Sequence, residues 1–99
     1  MNNKIIREIN KEGRITLKAD LLELCGIKKK TKVAICKFEE DKICIRRLDS
    51  IKNYKVIACV SVDEKYHLII PAEIRKQIAA DTKFEMYYLD GSLILEEAH

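Results

Sequence analysis

Three basic residues, Arg7, Lys11 and Arg14, lie within eight positions near the start of the chain, around a predicted turn. Lys and Arg side chains neutralise phosphates and release condensed counterions, so a cluster of them can bind nucleic acid in a salt-dependent manner. An arginine can also donate two hydrogen bonds to the edge of a guanine base. The alternative is that these charges only solvate a strand surface, since Glu8 and Glu12 interrupt the basic run. The residues alone leave both interpretations open.

The charge is distributed unevenly along the 99-residue chain, whose net charge is only +3. Residues 1–48 contain 13 Lys/Arg against 7 Asp/Glu, a balance of +6, whereas residues 49–99 contain 6 against 9, a balance of −3. Such asymmetry indicates an anionic partner for the first half. Further candidate phosphate contacts are Lys4, Lys18, Lys28, Lys29 and Lys30. Basic residues that follow a helix also complement its C-terminal dipole, which is the alternative role of the loop lysines.

The sequence offers little for catalysis. It has no glycine-rich phosphate loop and no Ser/His/Asp arrangement, and neither His67 nor His99 has a nucleophile or carboxylate at motif spacing. A zinc site needs about four clustered ligands, commonly in close pairs, and this chain has no CxxC pair. We expect reduced structural thiols at Cys25, Cys36, Cys44 and Cys59. The prediction is a protein that is not an enzyme and that uses no cofactor, metal or small-molecule substrate.

The sequence also predicts no membrane partner. No apolar stretch approaches the roughly 20 residues of a membrane-spanning helix. The opening residues Met1-Asn2-Asn3-Lys4 do not resemble a signal peptide. We therefore expect a cytoplasmic location.

The elements that would position the basic residues are encoded twice. Residues 13–21 (GRITLKADL) recur 53 positions later as residues 66–74 (YHLIIPAEI), and residues 38–45 (FEEDKICI) correspond to residues 88–95 (YLDGSLIL). Solenoids need about three or more units, and each repeat is too short to bury a core alone. We therefore predict two pseudo-symmetric repeats that share one core. Their bounds are 1–48 and 55–99, with a linker at 49–54.

Each repeat is predicted to contain a strand, a turn, a strand, a short helix and a hairpin. Gly13 suits a turn with positive φ, Gly26 suits the end of the first helix, and Asp90-Gly91 is typical of a two-residue hairpin turn. We expect Arg46 and Arg47, near a hairpin end, at the surface. The predicted bounds are strands 4–9, 14–17, 33–38 and 43–47 with a helix at 19–25, then strands 55–62 and 67–70 with a helix at 71–79.

The third strand of the first repeat breaks its own alternation. Val33 and Ile35 point inward with a period of two, yet the next inward position holds Lys37, and Phe38 is the apolar residue. One extra residue in the strand would explain this slip, so we predict a β-bulge near Cys36–Lys37. The second repeat alternates without a slip, and its predicted inward residues are Phe84, Met86 and Tyr88.

These patterns resemble a known family. Residues 7–26, with Gly13-Arg14 in the turn, and the hairpin at 38–45 resemble the AbrB/MazE/SpoVT swapped-hairpin DNA-binding domain, and residues 62–75 resemble it again. Two copies in register are similar to the internally duplicated MraZ group, whose members are longer. The resemblance implies a mostly β fold with short helices, in which two copies interlock into one small swapped-hairpin β-barrel. It also implies a DNA-binding transcriptional regulator.

The resemblance assigns DNA contacts unevenly to the two repeats. In the family, DNA is bound by basic residues on the first strand, at the Gly-Arg turn and on the short helix. Arg7 and Arg14 match the strand and the turn in the first repeat, but Leu22 and Glu23 occupy its helix positions. The second repeat has the opposite pattern, with Val60 at the strand, Tyr66-His67 at the turn, and Arg75 and Lys76 on the helix.

The sequence therefore predicts a lopsided basic face whose partner is duplex DNA. This face consists of Arg7, Lys11, Arg14, Arg75 and Lys76. The alternative is an antitoxin-like protein or an assembly module that acts through protein–protein contacts. A homo-oligomer, and hairpin exchange within or between chains, both stay open.

Overall fold

The structure is a computed structural model that describes residues 5–78 and 82–98. The fold is mostly β with two short helices, as predicted. In chain order the elements are β1 (Ile5–Glu8), β2 (Arg14–Thr16), α1 (Ala19–Leu24), β3 (Lys32–Glu39), β4 (Lys42–Arg47), β5 (Lys55–Ser61), β6 (His67–Ile69), α2 (Ala72–Arg75), β7 (Lys83–Leu89) and β8 (Ser92–Glu97). The predictions that fall on Lys4, Ala79 and His99 lie outside the described residues.

The two halves of the chain are joined strand by strand. Six strands form one sheet in the order β1-β7-β8-β4-β3-β5, and β2 pairs with β6 in a separate two-stranded sheet. The first strand of each half pairs with the third strand of the other half, as β1 pairs with β7 and β5 with β3. The pairs β4–β8 and β2–β6 each join equivalent strands of the two halves.

The predicted closed barrel does not form. The six-stranded sheet ends at β1 on one side and at β5 on the other. Strands β2 and β6, which follow these edge strands in the chain, have only three residues each and pair with one another. The sheet is therefore open, with a short ribbon beside it.

One apolar core contains residues from both halves. Ile15 and Leu22 come from the first half, Leu68 and Phe84 from the second, and each is at most 2% exposed. Helix α2 adds Ile74 to the same core. A domain of fewer than about 50 residues buries too little surface to be stable alone, so sharing the core stabilises both halves.

A second, smaller cluster covers the outer face of the central strands. Its members are Ala34, Cys36, Cys44 and Ile94, with Ile51, Tyr54 and Tyr87 packed against them. Ile51 and Tyr54 belong to the segment predicted as a linker, which therefore covers the sheet as well as connecting the halves. Strand β3 is thus buried on both faces, which explains its continuous apolar run from Val33 to Cys36.

Two predictions about exposure are wrong. Arg46, expected at the surface, is only 8% exposed because Tyr54 and Ser50 of the linker cover it. Tyr88, expected to point inward, is 40% exposed because it lies at the tip of the β7–β8 hairpin, two residues before Asp90. Arg47 is exposed, as predicted.

The predicted β-bulge is present one residue further along β3. The pairing of β3 with β4 shifts register between Lys37 and Glu39, which leaves Phe38 as the extra residue. An extra residue reverses the alternation of inward and outward side chains. Lys37 itself precedes the extra residue, and both Lys37 and Phe38 are exposed, so the apolar pattern of β3 ends with the buried Cys36.

The glycine-containing turns also agree with the sequence. Gly13 and Gly26 have φ values of +85° and +72°, and Asp90-Gly91 has positive φ at both residues, as a type I′ turn requires. Helix α2 is shorter than predicted. It begins after Pro71 and has four residues, and the chain then continues in tight turns.

Candidate nucleic-acid interface

Four of the predicted DNA contacts, Arg7, Lys11, Arg14 and Arg75, lie around the β2–β6 pair, which we call the ribbon. Its cross-strand pairs are Arg14 with Ile69, Ile15 with Leu68, and Thr16 with His67. Ile15 and Leu68 are each 1% exposed and point into the core. Because side chains alternate along a strand, the other four share the outer face of the ribbon.

The turn before β2 is held by the side chain of Asn10. Its Oδ1 accepts hydrogen bonds from the backbone N–H groups of Glu12 at 3.0 Å and Arg14 at 2.8 Å. The Asn10 backbone N–H also donates to the Arg14 carbonyl at 3.0 Å. This Asx-type turn fixes the start of β2 and presents the exposed Arg14 side chain at one end of the ribbon.

Arg75 belongs to the second half of the chain but packs on the turn of the first half. Its Nε donates to the Ile70 carbonyl at 2.9 Å, and its Nη1 donates to the Lys11 carbonyl at 3.4 Å. A Cβ atom on Gly13 would lie 2.5 Å from Arg75 Nε, so the close approach depends on glycine at this position. The structure thus brings Lys11, Arg14 and Arg75 around one turn.

Arg7 lies beside the opposite end of the ribbon. Its Nε donates to the Thr16 carbonyl at 3.2 Å. Its half-buried position on β1 matches the predicted parity with Ile5 and Ile9, which are also half-buried. Lys76 follows directly after α2 and is exposed, and its backbone N–H donates to the Ala72 carbonyl at 3.0 Å.

The equivalent turn of the second half is acidic. Asp63 replaces Asn10, and its Oδ1 accepts hydrogen bonds from the backbone N–H groups of Lys65 and His67, both at 2.8 Å. His67 replaces Arg14, and its Nδ1 lies 3.2 Å from Asp63 Oδ2. The hydrogen bond from the His67 backbone, followed by the one from Lys65, lowers the pKa of Asp63. Asp63 therefore stays ionised at neutral pH.

The Gly13–Arg75 contact has no equivalent at the second turn, because the two corresponding residues, Tyr66 and Leu22, are core residues. Tyr66 corresponds to Gly13, has a φ of +62°, and packs against the core. Leu22 corresponds to Arg75 and is fully buried in the same core. The position of Leu22 on α1 is buried, which explains why the first half has no arginine there.

Lys30, in the basic loop after α1, contacts the segment between β5 and β6. Its backbone N–H donates to the Val62 carbonyl at 2.6 Å, and its Nζ lies 2.8 Å from Glu64 Oε1. Lys30, Arg14 and His67 line the same shallow depression beside the ribbon. A carboxylate therefore partly neutralises this lysine.

The other candidate phosphate contacts are not brought to the ribbon by any contact in the described chain. Lys18 Nζ forms an ion pair with Asp20 Oδ2 at 3.3 Å. Lys28 and Lys29 are exposed in the loop after α1. Lys4 lies outside the described residues.

Sequence reasoning missed two residues on the outer face of the ribbon, Thr16 and Ile69. Thr16 is exposed and Ile69 is 47% exposed. The alternation within each strand would have placed Thr16 with Arg14 and Ile69 with His67. What the sequence did not provide was the pairing of β2 with β6, which puts all four side chains on one surface.

Three of the four cysteines, Cys25, Cys36 and Cys44, are buried packing residues, whereas Cys59 on β5 is exposed and so is not the packing residue that the sequence predicted. Burial raises the pKa of Cys25 and of Cys36 to about 11, and it also raises the pKa of Cys44. Since the thiolate is the nucleophile and the metal ligand, such thiols are inert at neutral pH. Within residues 5–78 and 82–98, no three or more His, Cys, Asp or Glu side chains are grouped to hold a metal ion.

A scan against protein-family models gave no match to this chain, and a search of curated proteins gave none either. Among the described residues, no helix is long and apolar enough to cross a membrane. The functional conclusion therefore rests on the geometry and the charge of the ribbon.

Proposed function

We propose that this protein is a DNA-binding transcriptional regulator of the AbrB-like swapped-hairpin kind, with an asymmetric basic face that contacts duplex DNA. The observation that carries the proposal is the packing of Arg75 on the turn formed by Lys11 and Gly13. It adds a basic side chain of the second half to the basic turn of the first. Together with Arg7 and Arg14, these residues place positive charge near both ends of the ribbon, although the turn before β6 is acidic.

The size and the charge of the ribbon suit duplex DNA. The major groove of B-DNA is about 12 Å wide and admits a two-stranded β-ribbon. Arg14, exposed on the outer face, can donate two hydrogen bonds to a guanine edge. Arg7, Lys11 and Arg75 flank the ribbon and can neutralise phosphates on either side of the groove. Recognition would thus combine phosphate contacts, which fix the register, with direct base readout.

The strand pairing supports the swapped-hairpin part of the proposal. Each half supplies a hairpin, β3–β4 or β7–β8, and the first strand of the other half adds to it. This exchange is what the family resemblance leads one to expect of two interlocked copies. We propose that the two halves of one chain take the place of two separate copies, so that the face towards DNA is not symmetric.

The test is fluorescence anisotropy of a labelled mixed-sequence duplex, titrated with the protein across a salt series. We expect binding at low salt, with a log–log salt slope of about −0.9 for each phosphate neutralised. Replacing Arg7→Ala and Arg14→Ala together should weaken binding and reduce the magnitude of the slope by about 2.

The matched control is Lys52→Ala with Lys55→Ala, which removes the same charge from two exposed residues. These lysines lie at or just before the start of β5, whereas the far end of β5 leads towards the ribbon strand β6. The control should retain most of the affinity. Absence of binding at low salt would refute the DNA proposal and leave a protein–protein assembly role. An equal loss in both double variants would refute the assignment of binding to the basic face around the ribbon.

A further inference from the structure

The outer face of the ribbon carries one large apolar side chain among polar ones. Ile69 is 47% exposed and lies directly opposite Arg14. Its neighbours in the chain, Leu68 and Ile70, are at most 1% exposed and already fill the core positions of this segment. Ile69 therefore contributes its side chain to the outer surface and not to the core.

The corresponding position in the first half is polar, so an apolar side chain is not a shared feature of the two repeats at this point. Thr16 occupies that position on β2, and it too is exposed. Threonine and isoleucine are both β-branched and suit a strand, so the strand itself does not require an apolar side chain here. Exposed apolar residues are common on protein surfaces, but this one lies in the middle of a basic surface, next to an exposed arginine.

We propose that Ile69 contacts the 5-methyl group of a thymine in the major groove, beside the base that Arg14 reads. This inference rests on the proposed function, namely binding of duplex DNA by the ribbon. Thymine is the base that presents a methyl group in the major groove, and apolar side chains are the groups that contact it. An isoleucine at this point thus adds sequence information that the surrounding charges cannot supply.

The spacing on the ribbon agrees with this role. Directly opposite residues of an antiparallel pair have Cβ atoms roughly 5 Å apart. Base pairs are spaced by about 3.4 Å along the helix axis. Arg14 and Ile69 would therefore reach positions roughly one or two base pairs apart, so the preferred site should contain a guanine close to a thymine.

The experiment begins with duplexes enriched by the wild-type protein from a random-sequence pool. The most enriched duplex is synthesised with thymine and again with deoxyuridine, which lacks only the methyl group. We expect the wild type to bind the uracil form about fourfold more weakly, the effect of exposing one buried methyl group. Ile69→Ser should bind the two forms equally, whereas Ile69→Val should keep part of the difference.

Leu89→Ser is the matched control, because Leu89 is similarly exposed, at 42%, but lies at the tip of the β7–β8 hairpin. It should discriminate between the two duplexes as the wild type does. Circular dichroism and thermal unfolding of each variant show whether its fold is intact. Comparing the wild type and Ile69→Ser on both the thymine and the uracil duplex separates the Ile69–methyl contact from other effects of the mutation or of the base change.

The outcomes separate this inference from the proposed function. A wild type that binds in a salt-dependent manner but does not distinguish thymine from uracil overturns the Ile69 contact and leaves DNA binding in place. The Ile69 contact is also overturned if folded Ile69→Ser still prefers thymine. A wild type that enriches no duplex and binds none at low salt overturns both.

Discussion

At the residue scale, the basic face depends on a position without a side chain. Gly13 combines a φ of +85° with two close neighbours, Arg75 Nε at 2.5 Å and the Ile70 carbonyl oxygen at 2.8 Å from where a Cβ would lie. The arginine could move away, but the Ile70 carbonyl belongs to the backbone directly after β6 and accepts the Arg75 hydrogen bond. Any side chain at residue 13 would therefore disturb the contact that joins the two halves.

We predict that Gly13→Ala lowers the free energy of unfolding by about 3 kcal/mol, through the left-handed backbone and the backbone clash together. Urea denaturation would measure this change. Gly26→Ala is the control, because Gly26 has a similar φ of +72° but its nearest neighbour is the side chain of Arg47, at 3.1 Å. It should lose only about 1 kcal/mol. Equal losses would show that the approach of Arg75 and Ile70 does not matter.

Residue-scale prediction succeeded where the chemistry of one residue decides the structure. Gly13, Gly26 and Asp90-Gly91 were predictable because positive φ favours glycine and aspartate or asparagine. The burial of Arg46 was not predictable, since it requires Asp90 and Ser92 of the second half, at least 44 positions away, as well as the linker residues that cover it. Local sequence contains no signal for a contact of that range.

At the element scale, the segment at residues 48–54 forms a second layer of packing on the sheet. Arg46 holds it in place: Nε donates to the Ser50 carbonyl at 2.6 Å and Nη2 to Ser50 Oγ at 2.8 Å. Its Nη1 donates to the Asp90 carbonyl at 3.0 Å and to Ser92 Oγ, and Tyr54 stacks on the guanidinium at 4.2 Å. One side chain thus ties the linker to the hairpin of the second half.

Replacing Arg46→Met should therefore destabilise the protein by about 3 kcal/mol, because buried oxygen acceptors lose their donor. Chemical denaturation measures the change, and faster amide hydrogen exchange at residues 48–54 would localise it. Arg47→Met is the control, since Arg47 is exposed and its ion pair is with the exposed Asp49. Such pairs contribute about 0.5 kcal/mol. A loss in Arg46→Met no larger than this would contradict the clamping role.

The strands and the bulge were easier to predict than the exposure of their side chains. The slip of alternation at Lys37 and Phe38 located the bulge to within one residue, because a pattern of period two records every insertion. Tyr88 continues the alternation of Phe84 and Met86 in the sequence but lies near a hairpin tip, where the core no longer covers it, so the inward prediction was wrong. Periodicity gives the direction of a side chain, whereas its exposure depends on what packs above it.

At the scale of the whole molecule, the repeat in the sequence predicted one shared core, and the core does contain both halves. It did not predict an open sheet. Closure would need β2 and β6 to bridge the edges at β1 and β5, and three residues in each are enough only to pair with one another. Strand order is a property of contacts across the whole chain, so a repeat pattern alone leaves it undecided.

The differences between the repeats make the molecule electrostatically lopsided. The first turn has Asn10 and Arg14, whereas the second has Asp63 and His67 at the equivalent positions. Asp63 is negatively charged at neutral pH, as aspartates ordinarily are, and backbone hydrogen bonds lower its pKa further. A DNA phosphate would thus meet attraction at one turn and repulsion at the other.

Making the second turn like the first should strengthen DNA binding. Asp63→Asn with His67→Arg changes the local charge by +2 at neutral pH, and Asn10 shows that asparagine can make the same two backbone hydrogen bonds. We expect affinity for a mixed-sequence duplex to rise by about tenfold at low salt, and the salt slope to steepen by about 1 as a further phosphate is engaged. Anisotropy titrations across a salt series measure both. Asp49→Asn with Asp90→Asn makes the same charge change in the linker and at the β7–β8 turn and should alter the slope little, so an equal gain there would mean that net charge, not the position of charge at the ribbon, governs binding.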